Sequence, residues 1–127
     1  MNQQLEAITT AALSLGLEAA SRRQQAIAAN IAHAGIEGYT PVRLAFESHL
    51  AEARQVLRDM GGLDPFALAG VRIELEPVLE ADGQPAKVQV DVQMAEMARN
   101  AVQYQALTQG LSRHLSILAA AAADGKK

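Results

Sequence analysis

Apolar positions at the two ends of the chain recur three and four residues apart. Near the start they are Leu5, Ile8, Ala12, Leu15, Ala19, Ala26 and Ala29, with Arg22 as the one charged member of the series. Leu13, Leu17, Ile27 and Ile31 widen that stripe. Near the end the series is Met94, Met97, Ala101, Tyr104, Thr108, Leu111, Leu115 and Leu118, and only Thr108 is not apolar. This period is the signature of an amphipathic helix that presents a heptad-like seam. It predicts helices over 1–32 and 91–123, each about 30 residues and so roughly 45 Å long at 1.5 Å per residue. Gly16 is the weak point of the first helix, at about 1 kcal/mol relative to alanine. Asp91 suits the N-cap of the last one.

Between the helices, residues 33–90 form an insert. Gly35, Gly38 and Pro41 stop the first helix. A shorter amphipathic segment then runs from Val42 to Met60, with Leu44, Phe46, Leu50, Ala53, Val56 and Leu57 apolar, and Gly61-Gly62 ends it. Residues 63–70 read as a loop or a single turn. Residues 71–76 and 88–92 alternate apolar with polar residues around an Asp82-Gly83 turn, which predicts a β-hairpin of 71–79 with 87–92. The fold class is therefore mainly α: long N- and C-terminal amphipathic helices pair as a coiled-coil-like hairpin, and the insert carries a short helix and a β-hairpin. Residues 124–127 are a short tail.

Composition sharpens this picture. Aromatics make up 3% of the chain and there is no Trp, so large side chains cannot supply much of a core. Each apolar stripe is also wider than a two-helix seam requires, and neighbouring molecules are the natural cover for the remainder. A net charge of −3 with no basic cluster argues against nucleic-acid binding. The absence of cysteine excludes disulfides and thiolate metal sites. No cleavable signal and no membrane span is expected, because residues 1–16 are amphipathic and no long uncharged apolar run occurs. His33, His49 and His114 share no ligand spacing, Gly35 to Gly38 lacks the remainder of a phosphate loop, and no serine has a nucleophile-elbow context. No catalytic residue, metal site or cofactor is expected, and an enzyme is not expected.

Two stretches carry a resemblance. Residues 28–39 keep Asn30, Ile31, Ala32, Gly38 and Tyr39 of a pattern close to A-x-N-[IL]-A-N-x-x-T-x-G-Y, and depart from it at His33 and Ile36. Residues 90–107 keep Val90, Asp91, Met94, Ala95, Met97, Ala98, Asn100 and Tyr104 of a second pattern, with Gln93 where an acid is usual. Together they resemble the flagellar basal-body rod family, most closely its B-type proximal rod proteins. The resemblance implies a structural subunit that self-assembles through its terminal helices into a torque-transmitting axial rod. It implies export from the cytoplasm without a cleaved signal and a final place in the periplasmic part of the basal body. Its implied partners are copies of itself, other rod proteins, and membrane-ring and export-gate components. The residues expected to carry assembly are Leu5, Ile8, Leu15, Ile27, Met94, Met97, Asn100, Tyr104, Leu111, Leu115 and Leu118. A soluble helical adaptor or export chaperone would use the same stripes, but would have no need of Asn30, Gly38 or Tyr39.

Overall fold

A computed structural model describes residues 2–59 and 66–125. Two long helices, α1 (Asn2–Ala32) and α4 (Val90–Asp124), pack against each other in antiparallel fashion. Contacts and bonds link Leu13 with Gly110, Gly16 with Leu107, Asn100 with Ala20, and Asn30 with Gln93, so the register runs unbroken along the pair. Gly16 allows a close approach, since a Cβ there would lie 3.4 Å from the Leu107 methyls. The mainly helical architecture, with both long helices paired and a small antiparallel sheet in the insert, follows the sequence expectation.

The insert departs from that expectation in its details. Strand β1 (Val42–Leu44) pairs with β2 (Leu75–Pro77), in the register Val42 with Pro77, Arg43 with Glu76 and Leu44 with Leu75. Val42 to Leu44 was expected to open the short helix, which instead begins at Glu47 as α2 (Glu47–Asp59). The expected partner of residues 71–79 was 87–92, and that pairing does not form. The Asp82-Gly83 turn is present, with the Glu80 amide donating to the Gln84 carbonyl at 2.7 Å and Gly83 at φ +83°. Beyond the turn, pairing is limited to one bridge between Leu79 and Pro85 and a bond from the Ala86 amide to the Val78 carbonyl. Proline at 85 has no amide to extend a ladder, and from Val90 the chain belongs to α4.

Helix α4 starts one residue earlier than expected. Gln89 is the extended N-cap residue, and its carbonyl accepts the first helical bond from Gln93 at 2.9 Å. Asp91 lies inside the first turn, where its charge favours the positive helix end. Residues 66–69 form the single turn α3 (Phe66–Ala69). The predicted stop at Met60 to Gly62, the first part of the 63–70 turn, the Lys126-Lys127 tail and the side chains of His49, Ala53, Val56 and Leu57 lie outside the described residues.

A small core joins α1 to the insert. Ala19, Leu44, Phe46, Leu68 and Val71 are buried together, with Ile8, Ala11, Leu15, Leu50 and Ile73 packed around them. Helix α1 is thus covered on two sides, by the insert and by α4. Helix α4 has α1 as its main neighbour, and Asn100 is its buried residue. The chain exposes 8734 Å² at a mass of 13.5 kDa. A compact monomer of that mass would expose roughly 6,500 Å², so about a quarter of this surface is excess.

Candidate functional site

Two residues of the resemblance, Asn30 and Tyr39, meet in a polar clamp. Asn30 sits in the last turns of α1 and is 3% exposed. After α1 the chain steps through short backbone bonds, His33 to Ala29, Ala34 to Ile31, Ile36 to His33 and Tyr39 to Ile36. Gly38 adopts φ +81°, a conformation that side-chain-bearing residues resist. This reversal swings Tyr39 back onto α1, where its hydroxyl donates to Asn30 Oδ1 at 2.9 Å. The Val42 amide donates to the same oxygen at 3.0 Å. Asn30 Nδ2 donates to the Val42 carbonyl at 2.8 Å and to Gln93 Oε1 at 3.1 Å. These four bonds fill the carboxamide's capacity of two acceptor and two donor positions. One side chain therefore stands in for a strand along β1 while tying α1, the turn, the sheet and α4 together.

The departures at His33 and Ile36 are accommodated locally, whereas Gln93 bonds across to α1. His33 lies against the Tyr39 ring, with centroids 5.0 Å apart and planes 19° from parallel. Its Nδ1 is 2.7 Å from the Ala29 carbonyl, a contact that makes Nδ1 the protonated nitrogen. At Ile36, which is 56% exposed, backbone bonds close the turn without a side-chain hydroxyl. Ile31 is half-buried and Ala32 exposed, and neither bonds to the clamp through its side chain.

A second amide pin lies further along the helix pair. Asn100 Nδ2 donates to the Ala20 carbonyl at 2.8 Å and to Gln24 Oε1 at 2.7 Å. Asn100 Oδ1 is buried without a partner. Asn30 and Asn100 are the buried polar residues among those described, and both belong to the resemblance. Buried amides in a helix seam fix register at some cost in stability. Asn100→Leu is accordingly expected to leave stability unchanged or raise it by up to about 2 kcal/mol, because a partnerless buried oxygen is removed. Urea denaturation reads that change. Weakened NOEs between Leu107 and Gly16, and between Leu13 and Gly110, would report the loosened register.

The line of α4 that faces α1 differs from the expected seam. It runs through Gln93, Met97, Asn100, Leu107, Leu111, His114 and Leu118. Met97, Leu111 and Leu118 were expected there. Met94, Tyr104 and Leu115 are instead 53%, 46% and 48% exposed, and Ala101 and Thr108 are exposed with them. In α1, Ile27 is buried, Ile8 and Leu15 are half-buried, and Leu5 is 54% exposed. The shift arises because two amides and a histidine occupy inward positions that a count of apolar residues passes over. Gln93, Gln24 and the Val42 backbone are the functional groups that sequence reasoning missed. Two amides seven residues apart, at 93 and 100, were the available signal.

Beside the clamp opens a groove of about 310 Å³, floored by Ala26, Ile27 and Leu44 and rimmed by Arg43, Lys87 and Glu96. Its rim mixes charges of both signs. Among the described residues no group of three His, Asp or Glu side chains could hold a metal, and no helix is long and apolar enough to cross a membrane. No family model and no curated protein matches the chain.

Proposed function

We propose that the chain is a structural subunit of the bacterial flagellar basal-body rod, of the proximal B type, which assembles through its terminal helices. The observation that carries this reading is that Asn30 and Tyr39 meet in the clamp while Asn100 forms a second pin between the same two helices. These residues of the resemblance are the polar centres of the α1–insert–α4 junction. Exposed apolar side chains around α4 support it further, since Met94, Val102, Tyr104, Leu115 and Ile117 are exposed and the whole chain shows excess surface. Removing such side chains from water is favourable by about 25 cal/mol per Å² of apolar area, which would provide the driving force for assembly.

On this reading the chain catalyses nothing and holds no cofactor. Its partners are copies of itself, other rod subunits, and components of the membrane ring and export gate. It reaches the periplasmic rod by the flagellar export route without a cleaved signal. Fractionation tests the assignment: the chain should co-purify with basal bodies, and cells lacking it should form no rod and fail to swim. A chain that stays cytosolic in cells with intact rods would exclude it and favour an adaptor or export chaperone.

A further inference from the structure

Helices α1 and α4 carry the same spacing, Leu13 with Gly16 and Leu107 with Gly110. Packed antiparallel, each leucine rests on the other helix's glycine. The Leu107 methyls lie 3.4 Å from where a Gly16 Cβ would stand, and a Leu13 methyl lies 3.7 Å from where a Gly110 Cβ would stand. The contact is reciprocal, so it reads the same from either helix. An antiparallel pair of two α1 helices, or of two α4 helices, would seat leucine on glycine in the same way. Two copies of the chain that exchanged their two α1–α4 pairs for one α1–α1 and one α4–α4 pair would therefore keep every leucine–glycine contact. This lock cannot by itself choose a partner.

The amides can. Asn30 Nδ2 donates to Gln93 Oε1 at 3.1 Å, and Asn100 Nδ2 donates to Gln24 Oε1 at 2.7 Å and to the Ala20 carbonyl at 2.8 Å. Each of these bonds joins α1 to α4, and neither helix carries both halves at matching levels. In an α4–α4 pair centred on the lock, Asn100 comes level with Ile117 and Gln93 with Asp124. In an α1–α1 pair, Gln24 comes level with Leu5. Asn100, now 3% exposed, would then be buried against apolar side chains, a loss that falls on the wrong pairing alone. A buried amide at one seam position fixes partner and register in this way. Asn100 Oδ1 has no partner even in the native pair, which fits a residue kept for selectivity in spite of its cost in stability.

We propose that the leucine–glycine lock is a self-complementary surface that also fits a second copy of this chain, and that Gln24, Asn30, Gln93 and Asn100 confine it to the chain's own helix pair. The inference concerns which helix each helix chooses, and it stands whether or not copies build a rod.

Loss of the amides should admit the second copy. The chain has no cysteine, so spin labels attach only where cysteines are placed. Ala98 and Ala119 are exposed, and they come level with each other in an α4–α4 pair centred on the lock. Along one helix they are roughly 30 Å apart. One sample carries a label at Ala98→Cys and a second sample carries it at Ala119→Cys. Mixed in the Gln93→Leu/Asn100→Leu background, the two should give a short distance between molecules, set by an axis spacing of about 8–10 Å and the label tethers. Sedimentation equilibrium should show a dimerisation constant at least about tenfold above that of the parent chain. The parent carrying the same labels should give no such distance. Adding Leu107→Ala should remove it while circular dichroism shows the helices retained. Asn100→Leu alone, which keeps the Asn30 clamp whole, should give the same distance in a smaller share of molecules. A short distance missing from both variants, present already in the parent, or surviving Leu107→Ala overturns the proposal.

Discussion

Asn30→Ala is expected to destabilise the chain by about 3–5 kcal/mol, the sum of several lost hydrogen bonds and of Val42 backbone groups left without a partner. Small domains have only about 5–15 kcal/mol in total, so this one change removes much of the margin. The related variants should follow a graded order set by how many bonds each one keeps. Asn30→Asp retains the acceptor oxygen for Tyr39 and Val42 but cannot donate to the Val42 carbonyl or to Gln93. Tyr39→Phe and Gln93→Leu each delete one bond and should cost about 1 kcal/mol. Gln93→Glu keeps an acceptor for Asn30 Nδ2 and should be nearly silent. Urea denaturation followed by circular dichroism measures the series. A loss below 1 kcal/mol for Asn30→Ala would mean that the clamp is ornamental.

Leu115→Asp is expected to abolish assembly and leave the monomer's stability within about 0.5 kcal/mol, because the side chain is already 48% exposed in the single chain. Its carboxylate would be desolvated only where another molecule covers that flank. Leu15→Asp should fail in a different way. Leu15 packs on the core of Ala19, Leu44 and Phe46, so a charge there unsettles the monomer before any association. Leu111 is half-buried against α1 and should fall between the two. Sedimentation and motility together separate these effects. Normal swimming with Leu115→Asp would show that the flank remains bare in the cell.

The long helices were legible because their period persists for about 30 residues, and a local error cannot erase a signal repeated over so many turns. The clamp was half legible. Asn30, Gly38 and Tyr39 stood out as a pattern, whereas their geometry depends on Val42 and Gln93, which lie far apart in sequence and were brought together by folding. The sheet was misassigned for a related reason. Alternation at 71–76 identifies a strand but carries no information about its partner, and a segment of three residues such as Val42 to Leu44 is too short for its period to be read. The facing line of α4 was displaced because burial there is partly polar. Asn100 and Gln93 point inward through hydrogen bonds, which hydropathy cannot anticipate.

The excess surface has a calorimetric consequence. A chain that already shows water so much of its surface when folded, Val102 and Ile117 included, has less left to reveal on melting. Its heat-capacity increment is therefore expected to fall below the usual ~12–15 cal/mol/K per residue and its stability curve to be flat, which scanning calorimetry reads. Under the proposed assembly the missing increment would reappear as a negative heat-capacity change when exposed side chains of α4 such as Leu115 are covered, which would divide the ordering of the molecule between folding and association.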